Sequence, residues 1–203
     1  MLLPLMRLSY FVITIAMAGL LTACSGESPQ EQCQGRGKNL LKDPSFSTVS
    51  LPRPQRRWFA SEHAAGQSFE YQVQQNELEI HKTGTEPWFI MAQTIPREEI
   101  PGKFAVFSAE IKLAMVPPAL AHGFEVGGGL TVTAMANGKP VVRSVLEHQP
   151  RMGNTGWQPV AVKVELPRNI ESVRVGFLHQ ADGTLWVRNP SLRKANKADC
   201  PGE

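Results

Sequence analysis

The sequence predicts an all-β fold, a jelly-roll β-sandwich of two antiparallel sheets. Three observations lead there. Apolar and polar residues alternate with period two in segment after segment; turn residues separate those segments at hairpin spacing; and beyond the apolar N-terminus no stretch keeps a 3.6-residue period over ten residues.

The elements follow in order. Phe69, Tyr71 and Val73 share one side of a strand, Leu78 and Ile80 one side of the next, and "QQN" lies between them. In "KFAVFSAEIKL", Ala105, Phe107, Ala109, Ile111 and Leu113 face one way, with Phe104, Val106, Ser108, Glu110 and Lys112 opposite. "IKLAMVPPALAHGF" holds helix-forming residues, but Pro117 and Pro118 break any helix there. Gly127, Gly128 and Gly129 precede a strand rather than a helix, so they read as a bulge or a close sheet approach and not as a phosphate cradle. Leu130, Val132 and Ala134 align in that strand, and "ANGKP" turns the chain into the next. Val160, Val162, Val164 and Leu166 align again, then Val173, Val175 and Phe177, then, after "ADG", Leu185 and Val187 against Trp186 and Arg188. About nine or ten one-sided strands need two packed sheets to bury their apolar faces.

The N-terminus carries a separate message. Arg7 is the only charge before Cys24, and the apolar run from Phe11 to Leu21 is too short for a span of roughly 20 residues. "LTAC" resembles the lipobox of bacterial lipoprotein signal peptides. That resemblance implies cleavage after Ala23, lipidation of Cys24 and, with Ser25 rather than Asp following, an outer-membrane destination and a periplasmic domain. Residues 1–23 are then the signal peptide, 24–37 a Ser-, Gly- and Gln-rich lipidated tether, and 38–200 a single domain. The 180 exported residues carry 20 Lys plus Arg against 18 Asp plus Glu, a balance that argues against nucleic acid as a partner. Cys33 and Cys200 remain, and an oxidising compartment makes a disulfide between them the natural hypothesis. It requires the domain's two ends to lie side by side.

Five segments then carry a family resemblance: "NLLKDPSF" at 39–46, "PWFIMAQTIP" at 87–96, "GKFAVFSAEIKL" at 102–113, "GWQPVAVKVELP" at 156–167 and "VRVGFLHQADGTLWVRNPSL" at 173–192. In that order they resemble the galactose-binding-like β-sandwiches, the fold of several carbohydrate-binding modules. The resemblance implies adjacent termini and a sugar-binding surface. It also implies a structural calcium, but Ser47 and Arg188 stand at the two carboxylate positions, which leaves that site short of hard oxygen ligands; no other cofactor or metal is expected.

Enzyme signatures are thin. The five histidines, His63, His81, His122, His148 and His179, show no HxH or HExxH spacing, and no G-x-S-x-G elbow is present. A glycosidase would need two facing carboxylates, and Glu70, Glu77, Glu79 and Glu110 are strand residues that solvation also explains. Binding is better motivated, because indole rings stack on the C–H faces of sugars while polar neighbours fix orientation. The expected binding residues are Trp58, after the basic loop "RPQRR", Trp88 and Gln93 on one strand, Arg143, and Trp186 with Arg188; Trp157 is expected to plug a core edge. The chain thus reads as a lipid-anchored, non-catalytic module for a carbohydrate or envelope glycan. The alternative is a protein-interaction or scaffold lipoprotein, which a contiguous exposed apolar patch would favour.

Overall fold

The computed structural model describes residues 35–64, 66–116, 120–121, 124–145 and 150–199, excepting the side chains of 120–121, 124–125 and 142–145. Two antiparallel sheets form a β-sandwich. The five-stranded sheet runs β1 (Phe59–Glu62), β4 (Phe89–Pro96), β12 (Ser172–His179), β8 (Gly128–Ala136), β9 (Lys139–Val145). The six-stranded sheet contains β10 (Gly153–Asn154), β5 (Phe104–Val116), β13 (Asp182–Ala195), β3 (Glu77–Lys82) and β2 (Phe69–Gln74), with β11 (Gln158–Glu165) also paired to β5. A small ribbon joins β6 (Leu120–Ala121) to β7 (Phe124–Glu125). The strands beyond the nine or ten expected include β1, β6, β7 and β10, each two to four residues long. Segments that short cannot display a period.

The phase of the long strands is the one the alternation sets. Ala105, Phe107, Ala109, Ile111 and Leu113 of β5 face Leu130, Val132 and Ala134 of β8 and Val173, Val175 and Phe177 of β12 within one buried cluster. The described buried members of that cluster run from Leu41 to Leu192. The turns use the chemistry their sequences advertise. Gln75 and Asn76 have φ of 51° and 64°, Asn137 and Gly138 51° and 69°, the left-handed pair that matches the twist of a two-residue hairpin. Gly127 marks a close approach rather than a ligand cradle: a Cβ there would sit 2.3 Å from the Arg151 carbonyl oxygen, and Gly128 bridges to Arg151.

The chain ends define the far edge of the six-stranded sheet. Asn39 caps the irregularity in β13 between Arg188 and Ser191: its Oδ1 accepts from Leu192 N at 3.1 Å and its Nδ2 donates to Pro190 O at 3.0 Å. Leu40 N donates to Leu192 O, and Arg36 N to Lys194 O at 2.8 Å, so residues 36–40 run beside the second half of β13, past the end of β3. Arg36, which the sequence places in the tether, is therefore already paired. Its guanidinium meets Asp199 at 2.7 Å and brings the two ends of the described chain together. Cys24, Cys33 and Cys200 lie outside the described residues.

A buried carboxylate organises the crossing from this edge to β1. Asp43, 4% exposed, accepts from Ser47 N and Oγ at 2.9 Å, Thr48 N at 2.8 Å, Thr48 Oγ1 at 2.7 Å and Ser45 Oγ at 3.2 Å. Burial pushes its carboxyl up, but the Thr48 and Ser47 hydrogen bonds together outweigh burial and hold it below the usual carboxylate range. Ser47, at a position the family resemblance gives to a calcium carboxylate, instead serves Asp43.

Candidate functional site

The six residues expected to bind ligand do not form one site. Trp58 is a core residue: it is 0% exposed, its ring lies 5.3 Å from Phe46 and 5.4 Å from Phe177, and its Nε1 donates to Asp43 O at 2.7 Å. The basic loop before it folds on itself, with Arg56 donating twice to Leu51 O. Gln93 is also internal. It keeps the phase of Phe89, Met91 and Ile95, is 2% exposed, and accepts from Lys42 N at 2.7 Å, tying the N-terminal crossing to β4.

Trp88 and Arg143 belong to the five-stranded sheet. Trp88 is half-buried just before β4, edge-on to His63 at 6.2 Å. Arg143 lies opposite Thr133 in backbone register, its side chain outside the description. Trp186 and Arg188 lie on the other side of the molecule.

There they join residues of β3 and β5, with Trp157 just before β11, on the outer face of the six-stranded sheet. Leu185 and Val187 point into the core, so Trp186 and Arg188 point out, in register with Lys112 and Glu110 of β5 respectively. Trp186 also opposes Glu79 of β3. The Lys112 ammonium lies 4.2 Å from the Trp186 ring centroid and 5.2 Å from that of Trp157, which directly precedes β11; Arg188 stacks on Trp157 at 4.2 Å. Such contacts hold the indoles in fixed orientation. Trp186 Nε1 donates to Glu79 Oε2 at 2.9 Å. Arg188 Nε and Nη2 both reach Glu110 Oε2, at 2.9 and 2.7 Å, Arg188 Nη1 reaches Glu77 at 3.4 Å, and Asn189 Nδ2 donates to Glu110 Oε1 at 2.8 Å. The Asn189 hydrogen bond, with Arg188 behind it, holds the Glu110 carboxyl below its ordinary range despite burial, and Glu110 first among its neighbours raises Arg188. Glu77 and Glu110 are thus carboxylates committed to one guanidinium. Arg188, at the second calcium carboxylate position of the resemblance, is held by carboxylates itself.

The sequence reading missed Trp157, taken as a core plug, and the roles of Lys112 and Glu79. Their signal was present as strand phase: Trp157 is in step with outward-facing Pro159 and Ala161, and Lys112 is out of step with Ile111 and Leu113. Among the described residues no group of three or more His, Cys, Asp or Glu is placed to hold a metal.

No family model matches the sequence, and no curated protein matches it. Among solved structures, the chain is similar to the enzymatically active domain of tailspike protein 4 of bacteriophage CBA120, at 13% identity and a TM-score of 0.53, with 76% of this chain and 21% of that one covered. It spans about a fifth of that tailspike chain. It is also similar to the CBM22-1 xylan-binding domain of Paenibacillus barcinonensis Xyn10C, at 12% identity, TM-score 0.48 and coverage of 80% and 99%. A third similarity is to TmCBM61 in complex with β-1,4-galactotriose, at 12% identity, TM-score 0.46 and coverage of 78% and 99%. At these identities the likeness concerns the sandwich fold alone.

Proposed function

We propose that this chain is a lipid-anchored, non-catalytic module of the bacterial cell envelope that binds a neutral glycan on the outer face of its six-stranded sheet. The observation that carries the reading is the pair of half-buried indoles, Trp157 and Trp186, held in orientation by Lys112 and Arg188. Aromatic rings offer a stacking surface for pyranose C–H faces, and Glu77, Glu79 and Glu110 offer acceptors for hydroxyls. Because Arg188 is already paired with Glu77 and Glu110, and three carboxylates face the two cations Arg188 and Lys112, an uncharged sugar fits this face better than an anionic one. The carbohydrate-binding domains among the similar structures agree with this class without specifying a ligand. The same ion pairing argues against catalysis, since Glu77 and Glu110 share Arg188 rather than facing across a groove with room for a sugar and water.

Anchoring rests on the "LTAC" resemblance at Cys24, and the outer-membrane, periplasm-facing placement on Ser25 after it. The adjacency of Arg36 and Asp199, three residues and one residue from Cys33 and Cys200, supports the disulfide. The scaffold alternative draws less support: among the described residues, the exposed large apolar side chains Leu51, Phe59, Val116 and Val141 are spread over three strands and a loop.

A glycan array probed with the chain from Ser25 to Glu203 tests the reading. Neutral polysaccharides should bind, Trp157→Ala and Trp186→Ala should each weaken that binding while leaving the fold intact, and Trp88→Ala should leave it unchanged. Binding that survives both sheet-face variants would refute the site.

A further inference from the structure

The end of the sandwich where the chain enters and leaves carries two adjoining clefts that the glycan face does not use. A cleft of about 530 Å³ is lined by Arg36, Lys103, Lys194 and Lys197 around Phe104 and Ala195. A second, of about 420 Å³, shares Lys103 and adds Lys163 and Arg168 beside half-buried Pro167, over the backbone of the core residues Val164 and Leu166. Six cations thus meet one lining carboxylate, Glu165, which pairs with Lys103 at 2.7 Å; Asp199, behind the first cleft, pairs with Arg36. Among the described residues, Arg168, Lys194 and Lys197 are exposed and hold no ion-pair partner. The combination is amphipathic: cations beside half-buried Phe104 and Pro167, with the Lys103 ammonium 5.6 Å from the Phe104 ring and 67% exposed.

We infer that this end of the domain docks on an anionic bilayer, its lysines and arginine engaging phosphate-bearing lipid headgroups. Charge complementarity points to an anionic partner. The half-buried Phe104 and Pro167 beside these cations suit a headgroup attached to a glycerol and acyl region better than a fully hydrated anionic polymer. Chain geometry supplies the orientation, and this part rests on the lipid-anchor reading. Arg36, in the first cleft, is only twelve residues beyond Cys24, so even a fully extended segment holds the cleft within about 40 Å of the anchored residue. Along β5, Glu110 and Lys112 stand six and eight residues from Phe104, about 20–26 Å at the rise of a strand, so the docking end and the glycan residues are separate.

The experiment uses the non-acylated chain from Ser25 to Glu203, so that the clefts and not a lipid are measured. Co-sedimentation with phosphatidylcholine vesicles containing about one third phosphatidylglycerol should show binding that neutral phosphatidylcholine vesicles lack, and that fades as salt is raised to about 0.5 M. Lys194→Ala/Lys197→Ala should weaken it on the order of tenfold, whereas Arg53→Ala/Arg57→Ala, an equal loss of exposed charge outside the clefts, should weaken it far less. Equal effects of the two pairs would overturn the clefts as the site. No binding to anionic vesicles, or binding through Lys194 and Lys197 only to a soluble polyanion such as heparin, would overturn the bilayer as the partner. The mass of the N-terminal peptide of the cell-derived protein tests acylation of Cys24 independently, so failure of the anchor and failure of the docking surface are separately visible.

Discussion

Removing the Asp43 carboxylate is the sharpest test of how the first crossing is built. Asp43→Ala leaves the amides of Ser47 and Thr48 and the hydroxyls of Ser45, Ser47 and Thr48 without their common acceptor in a site that is 4% exposed. A hydrogen bond to a charged group is worth about 1.5–3 kcal/mol, but the donors relax together and the hydroxyls find other partners, so the terms do not add. The expected loss is about 3–5 kcal/mol, comparable to breaking a buried ion pair. For a domain of this size that lowers Tm by roughly 10–15 °C. Urea unfolding followed by tryptophan fluorescence reports it directly, because Trp58 donates to Asp43 O and leaves the core when this segment opens. The pH dependence carries a definite sign. A carboxyl held below its unfolded value contributes stability that is fully present above the unfolded value of about 3.9 and disappears as pH falls through the lower folded value. Wild-type protein should therefore lose this contribution below pH 4, and Asp43→Asn should show a shallower acid slope. An Asp43→Ala variant within about 1 kcal/mol of wild type would refute the reasoning.

Other predictions follow from the same geometry. His179 is 0% exposed, bonded through Nε2 to Gly183 O at 3.1 Å, and burial lowers its pKa to about 4. The unfolded chain takes up the proton first as pH falls, so this group makes the protein about 2 kcal/mol less stable at pH 5 than at pH 8, a slope that His179→Gln should remove in paired urea titrations. Trp58→Ala should cost about 3–5 kcal/mol in unfolding experiments as a core truncation, yet without touching the ligand contacts. Titration of denatured, unreduced mature protein should find no free thiol. Reduction should release two and lower stability by about 4–5 kcal/mol in the chain-entropy limit, strain subtracting from that value.

Strand phase was legible in the sequence, and sheet membership was not. Alternation places Trp186 and Arg188 opposite Leu185 and Val187, and the structure keeps that phase. It contains nothing to say that β4 enters the sheet opposite to β13, which is fixed by crossovers of the chain, so Trp88 and Trp186 were both expected to bind ligand while lying on different sheets. Gln93 was readable: its step with Phe89, Met91 and Ile95 put it inside, and a polar residue in a core phase needs a buried partner, which Lys42 N supplies. Trp58 was not, because nothing local to "RPQRRW" announces that Asp43, fifteen residues earlier, folds the segment back and turns the indole inward. The phase of Trp157 was readable from its step with Pro159 and Ala161, but its company was not. Its partners Lys112 and Arg188 come from β5 and β13, and only the pairing of β11 with β5 brings the three together.

The central claim, that the outer face of the six-stranded sheet is a glycan site, is tested most directly by titrating a neutral polysaccharide that binds on an array into the folded protein by calorimetry, beside Trp157→Ala/Trp186→Ala. The site requires saturable binding in the wild type and its loss, by at least about a hundredfold, in a double variant whose circular dichroism and Tm remain close to wild type. Undiminished affinity in that variant would show that the sugar sits elsewhere on the molecule.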